Sequence, residues 1–518
     1  MRRLLVWLLA AMIAISLFPV GAYADETSAE LDTAKIDALV REGMEKYRIP
    51  GMAIGVVHRD RTVYVRGYGI ADDDKRPVTP ATPFLLGSVS KSFTALAIVQ
   101  LAEQGRLGLD DPVRQHLPEL RWKEFEEGGP VTVRHLLNQT GGLSTYIGRA
   151  WIADGDLAPA EAIRRLDGVK LKGTAGAVFR YSNANYTLLG EIVARVSGVS
   201  YEKYVAESIF QPLVMRNSFA GNSGDERLAA GYQSVFGQLR ETKHPIAPAL
   251  VPAGYLAASA EDMTHYLIAQ LNEGKYGSQA IATSTGIRAM HKPEVGFSYG
   301  LGWFSFGDRI WHGGDAENFH SDVIADLDSG WGIVVLMNTN DALQTTVYSH
   351  AYGELSMRLM EAAERGGDLP PGYPPLTPFG SIEAVLGAVC VAAAVWISVD
   401  VIRMMVRRRR RQFPGYVCLL AAVAPFYFAL PLMILIAVPR AAGAPWGTVL
   451  RFSPGLGHAM LVLSAALLAL GAFKLCGFKA GLRNRKSARI SKIAVNGLGS
   501  RATPGIMEAD EIHRADKE

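Results

Sequence analysis

Residues 382–402, 415–438 and 456–473 form three apolar runs, and these constrain the folding of the chain more than any other feature. Each is long enough to cross the hydrocarbon core of a bilayer, the third only just. A backbone that enters lipid must satisfy its own N–H and C=O groups, so the runs are expected to be helices. Arg407 to Arg411 lie between the first two runs, and Lys479, Arg483, Arg485, Lys486 and Arg489 follow the third. The loop between the second and third carries only Arg440 and Arg451. The positive-inside rule places the arginine run and the C-terminus in the cytoplasm, so the chain enters the first run from outside. The N-terminus gives the same topology independently. Met1-Arg-Arg3 is positive, residues 4–20 are apolar, and Ala22-Tyr-Ala24 is a small-residue cleavage signal. This is a secretory signal peptide, with an uncleaved anchor helix as the alternative. The expected organisation is a signal peptide over 1–24, an exported domain over 25–363 and a Pro/Gly-rich linker over 364–380. A membrane region of three helices over 381–478 and a basic cytoplasmic tail over 479–518 follow. The lipid bilayer is thus an expected partner of a multi-pass cell-membrane protein.

The charge balance follows this division. The chain holds 53 Lys+Arg and 50 Asp+Glu, and about 18 of the basic residues but only 5 of the acidic ones lie from Arg403 onward. The exported part is therefore acidic, which excludes nucleic acid as its partner. The three cysteines, Cys390, Cys418 and Cys476, all fall in or beside the apolar runs. The exported domain is thus expected to fold without disulfides, which its length allows. Cys and His show no metal-ligand spacing, so no structural zinc and no cofactor are expected.

Within the domain, periodicity predicts a helix over 31–47, stopped at Pro50, and a hairpin of strands 52–58 and 62–68. A helix follows Ser88 to about Gln104. Shorter helices are predicted over 131–138, 160–166, 186–196 and 201–209, and 221–252 reads as irregular. Ser259 and Asp262 resemble a capping box before a helix that ends near Leu271. The period then changes to that of strands, 299–306, 309–312, 321–327 and 331–337, before a last helix over 347–363. Strands at both ends with helices between give an α+β class: an antiparallel sheet flanked by helices, plus an all-α subdomain.

Three motifs carry chemistry. Ser88-Val-Ser-Lys91 stands where a loop becomes an apolar helix, and residues three apart on a helix share a face. A hydroxyl becomes a nucleophile when a neighbour takes its proton, and a desolvated lysine does this. Spacing alone is weak, because Ser200-Tyr-Glu-Lys203 repeats it and reads as a helix cap with an exposed lysine. Tyr181-Ser-Asn183 puts a phenol and an amide at a loop-to-helix turn. There they serve either as a general base lowered by Lys⁺ with an amide that orients the lysine, or as a packed aromatic and a cap. His312-Gly313-Gly314 ends an apolar strand, where glycines admit a substrate close to the backbone; the alternative is a turn beside a half-buried histidine.

Together these motifs resemble the serine β-lactamase and D,D-peptidase superfamily, most closely the class C β-lactamase-related group. They stand in that group's order, and Val133-Arg-His-Leu-Leu137, Thr140-Gly-Gly-Leu143 and Pro252-Ala-Gly254 are similar to its wording. The resemblance implies that Ser88 is acylated, that Lys91 and Tyr181 share the proton work, and that Asn183 holds Lys91 and the substrate. It places His312, with Gly313 and Gly314, near the leaving group or the substrate carboxylate, and makes the backbone N–H groups of Ser88 and Asp315 the oxyanion hole. Three positions depart from the pattern. His312 replaces the lysine of the β-lactamases, and a histidine is mostly neutral at pH 7. Asp315 brings a carboxylate to the oxyanion strand, and Asn318 stands where many relatives have glycine. The expected activity is a membrane-tethered serine hydrolase acting on small-molecule or peptide substrates: D-amino-acid peptides or esters. The alternatives are a membrane sensor that binds a β-lactam or a wall fragment and signals through a partner protein, and, less favoured, a true β-lactamase.

Overall fold

The computed structural model describes residues 31–124, 129–221, 224–294, 296–340, 351–376 and 425–472, with isolated positions among 392–403 and at 490–491. The signal peptide, nearly all of the first apolar run, the start of the second and the basic tail lie outside the described residues. The chain divides into two compact units, one of residues 1–381 with 443–454, the other of 382–442 with 455–518.

The first unit is built on a six-stranded antiparallel sheet. Its strands are β1 (Gly51–His58), β2 (Arg61–Gly69), β3 (Phe304–Phe306), β4 (Arg309–Asp315), β5 (His320–Asp326) and β6 (Trp331–Met337), in the order β3-β4-β5-β6-β1-β2. The N-terminal hairpin thus joins the C-terminal meander through β1 and β6, with Ile54 opposite Val335. Side chains of a strand alternate between faces, and here they feed two cores. Ala53, Val57, Val323, Val334 and Leu336 enter the larger one, while Ile54, Val56, Ile324, Ile333 and Val335 enter the smaller. The smaller core is closed by α1 (Thr33–Tyr47) and by a C-terminal helix over Ala351–Glu364.

The larger core holds α2 (Ser90–Glu103), which is buried on every face from Ser90 through Leu101. Around it lie α3 (Asn183–Ser197), α4 (Ala260–Leu271) and several short helices, which form the all-α region. Ser259 caps α4, its hydroxyl accepting from Asp262 N at 3.1 Å. The Asp262 carboxylate does not reach back as a capping box requires; it accepts from Asn217 N and Ser218 Oγ instead.

Two sequence readings change. The strand expected over 299–306 shrinks to β3, because 299–303 forms a tight turn against α2. At Gly302 (φ +79°) an added Cβ would meet Lys91 O and Ser92 Cα, so only glycine allows that approach. The irregular stretch 221–252 contains a hairpin, Gly231–Val235 with Gln238–Thr242. Its turn residues Phe236 and Gly237 both have positive φ, and phenylalanine hid a turn usually written Asn-Gly.

In the second unit, helices over Pro425–Ala442 and Pro454–Ala472 are long and apolar enough to cross a membrane. Among the described residues there are two such helices, not three, and the first predicted span falls outside them. The described parts of the second and third are helical, over Pro425–Ala442 and Pro454–Ala472, and residues 415–424 of the second lie outside the described residues.

Candidate active site

Ser88 sits in a single 3₁₀ turn, Gly87–Val89, which leads directly into α2. Gly87 (φ +49°) makes the turn possible: a Cβ there would strike Asp315 N and Gly314 C on β4. Gly314 is the reciprocal case, since a Cβ on it would strike Leu86 O. The nucleophile turn and β4 therefore meet backbone to backbone. Ser321 Oγ on β5 ties them further by donating to Leu86 O at 2.7 Å. The predicted oxyanion residues Ser88 and Asp315 are thereby brought together.

Lys91 lies one helical turn beyond Ser88 and is completely buried. Its Nζ is 3.0 Å from Ser88 Oγ and 2.9 Å from Asn183 Oδ1, and it also donates to Ala253 O. Two of these partners are carbonyl oxygens that only accept. They take two N–H bonds and leave the third tetrahedral direction of Nζ for Ser88. That direction carries a proton in the ammonium and a lone pair in the amine. Burial pushes the Lys91 pKa well below that of a free lysine, which favours the amine and hence a proton acceptor beside Ser88.

Tyr181 is half-buried and also adjacent: Lys91 Nζ lies 4.8 Å from its ring centroid. Burial raises the phenol's pKa against the lowering effect of its hydrogen bond with Ser88. This reverses the expectation of a phenol lowered by Lys⁺, because the lysine is itself held toward neutrality. Gln139 fixes the turn that presents Tyr181 and Asn183. It adopts φ +64°, its Oε1 accepts from Ser182 N at 2.9 Å and Asn185 Nδ2 at 2.6 Å, and its carbonyl accepts from Arg180 N.

His312 projects from β4 toward the same side as Ser88 and is 1% exposed. Its Nδ1 donates to Gly313 O at 2.7 Å, so Nε2 accepts from Tyr299 OH at 3.0 Å. Burial, and then the nearby charge of Lys91, lower its pKa to about 3. The imidazole is thus neutral at physiological pH.

Asp315 points to the opposite face of the sheet. Its Oδ1 meets His320 Nδ1 at 2.8 Å, and His320 Nε2 meets Asp322 Oδ2 at 2.9 Å. Burial opposes charge on His320, but the carboxylates of Asp322 and Asp315 outweigh it and raise its pKa to about 10. The Asp315 carboxylate is therefore paired with His320 on that face, away from the side of Ser88. Asn318, at the following turn, donates to Thr242 O at 2.7 Å. Sequence reasoning missed Gln139, Tyr299, His320 and the acceptor Ala253 O. Ala253 lay within the Pro252-Ala-Gly254 wording and Tyr299 at the start of a predicted strand, but nothing in the sequence gave either its partner. Among the described residues no cluster of His, Cys, Asp and Glu is arranged to hold a metal ion.

Comparisons with known proteins give the fold and the family. A penicillin-binding protein homologue from Pyrococcus abyssi, octameric in its own structure, superposes with a TM-score of 0.57 at 27% identity, over 69% of this chain and 81% of that one. EstCE1, a hydrolase with promiscuous acyltransferase activity, shares the fold with a TM-score of 0.54 at 21% identity, over 64% of this chain and 98% of its own. Protein flp of Staphylococcus aureus (strain MRSA252) is 28% identical over 447 residues, which is 84% of this chain and 88% of that protein. The family profile described as Beta-lactamase matches residues 36–352 and takes in the Ser88, Tyr181 and His312 motifs. With more than half of its length matched, the chain belongs to the beta-lactamase family, in the group that resembles the penicillin-binding proteins.

Proposed function

We propose that this chain is an extracytoplasmic, membrane-tethered serine hydrolase that forms an acyl-enzyme at Ser88 on D-amino-acid peptides or esters. The observation that carries the reading is the environment of Lys91: a fully buried amine, two of its bonds committed to carbonyl oxygens and the third aimed at Ser88 Oγ at 3.0 Å. In the first step the Ser88 proton passes to Lys91 Nζ as Oγ attacks the substrate carbonyl carbon. The carbonyl electron pair moves onto its oxygen, which the N–H groups of Ser88 and Asp315 stabilise; each such donor is worth about 3–4 kcal/mol. Collapse of the intermediate re-forms the carbonyl and expels the amine or alkoxide. Tyr181, kept protonated by burial, supplies the leaving group's proton and regains one from Lys91. Water then repeats the sequence on the acyl-enzyme and releases the acid. Asn183 holds Lys91 through Oδ1 and keeps its amide N–H₂ for the substrate.

The buried, neutral His312 favours peptides or esters over a dedicated β-lactamase, because it offers no permanent cation to a substrate carboxylate. Two candidate spans and the positive flanks of the apolar runs support tethering with the domain outside. The test uses the full-length protein in detergent with a fluorescent penicillin, a fluorophosphonate and a panel of esters and D-amino-acid peptides. Labelling that is lost in Ser88→Ala is expected. If wild type takes up neither label and Ser88→Ala hydrolyses the panel as well as wild type, the reading is wrong.

A further inference from the structure

The hydrolase unit does not end with the linker. Residues 443–454, which in sequence join the two candidate spans, belong to it. Their helix, Trp446–Phe452, is held by polar bonds at both ends. Thr448 Oγ1 donates to Arg149 O at 2.7 Å, Arg451 donates to Ala153 O at 2.8 Å and to Pro245 O at 3.3 Å, and Phe452 packs on the larger core. Gln233 Nε2 is shared between Arg451 O at 2.6 Å and Glu317 O at 2.8 Å. Arg451 also pairs with the Glu317 carboxylate at 3.4 Å.

Glu317 is 1% exposed and lies two residues beyond Asp315. Its other carboxylate oxygen accepts from Tyr255 OH at 3.0 Å. Tyr255 follows Ala253-Gly254, and Ala253 O is the acceptor that holds Lys91. One buried carboxylate therefore braces both the turn after the oxyanion strand and the segment that orients the general base. Arg451 is the cation among the groups bonded to that carboxylate, and a buried charge that loses its partner is strongly destabilised.

We infer that the connector 443–454 is a working wall of the hydrolase site, with Arg451 a positioning residue that sets the 315–318 turn and the Ala253 carbonyl through Glu317. The connector is then part of the hydrolase unit, although in sequence it only joins two candidate spans. A single span suffices to anchor a domain, whereas a pair of spans returns a connector to it. The inference rests on the acyl-enzyme reading for its catalytic consequence and on geometry alone for the docking.

Three measurements on the full-length protein in nanodiscs test it. Ala153→Cys with Gly447→Cys should cross-link under mild oxidation. A Cβ on Gly447 stands 3.1 Å from that of Ala153, and disulfides need about 3.5–4.5 Å, so a small shift suffices. Failure to cross-link overturns the docking, whatever the activity. Second, acylation by a fluorescent penicillin is measured for Arg451→Met, Glu317→Gln and the double variant. Each single change should slow the saturating acylation rate by about tenfold with half-saturation nearly unchanged, and the double variant should be no slower than either. Amide exchange over 314–320 should speed up in all three. If Arg451→Met is slow but Glu317→Gln and the double variant match wild type, the arginine merely neutralises a buried charge and the inference fails. If wild type and Ser88→Ala label alike, the acyl-enzyme reading fails, and the cross-link and the exchange still judge the connector.

Discussion

Ser88-Val-Ser-Lys91 and Ser200-Tyr-Glu-Lys203 share one spacing and have opposite fates. Ser200 is an N-cap in extended conformation whose hydroxyl accepts from the Lys203 backbone N–H at 3.2 Å. The Lys203 side chain is 57% exposed, with Glu207 3.8 Å away. Ser88 stands inside a helical turn, and Lys91 is wholly buried and faces it. The pair that stays in water does a helix cap's work. The pair driven into the core loses solvation, which pushes the lysine toward the neutral amine. Burial makes the difference, and burial comes from what lies above each helix.

The comparison breaks or sharpens in four ways. The largest effect is expected at the nucleophile: Ser88→Ala should lower hydrolysis by about 10⁴-fold or more, while Ser200→Ala leaves it unchanged. Equal loss in both would erase the distinction. Lys91→Met should lower acylation by about 10³-fold, and Lys203→Met should not change it. The same Lys91→Met change should raise Tm by about 2–4 °C at pH 7, because it removes a buried amine. The sign follows from linkage. With the folded pKa of Lys91 depressed, the unfolded chain binds the extra proton below the ordinary lysine value of 10.5. Wild-type stability therefore rises with pH toward that value, and the advantage of Lys91→Met shrinks.

A third, smaller effect is expected on the far face of the sheet. The pKa of His320 is raised from 6.5 to about 10, so its contribution is fully present below about pH 6.5 and is lost as pH climbs to 10. His320→Gln should remove that decline in Tm across this window. It should also slow acylation by about tenfold at pH 7, because Asp315 loses the cation that restrains it. A variant whose Tm follows the wild-type pH profile would discard the imidazolium. The smallest effect is at Ser200 itself, where loss of the cap should cost about 1 kcal/mol of stability, read from denaturant midpoints, with kcat untouched.

Much of the fold was legible because it rests on local periodicity. Short β-branched and aromatic runs between tight turns exposed β1, β2, β5 and β6, and Pro50 and Ser259 marked where helices stop and start. The hairpin after Gly231 was not legible, because Phe236 adopts a backbone that phenylalanine rarely takes. The site was legible as a set of residues but not as a protonation pattern. Tyr181 was expected to be lowered by Lys91, whereas desolvation acts on both and drives them toward neutrality.

The sequence by itself determined the family, through Ser88, Lys91, Tyr181, Asn183 and His312 in order, because motif order and local pattern need no third dimension. It also marked the apolar runs, because lipid selects on composition alone. Only the tertiary structure decided that Ala253 O joins Asn183 in holding Lys91, that His312 faces Tyr299, that His320 pairs with Asp315, and that Arg451 reaches Glu317 from 134 residues away. Charge states and long-range partners depend on what packs against a residue, and spacing along the chain does not record that.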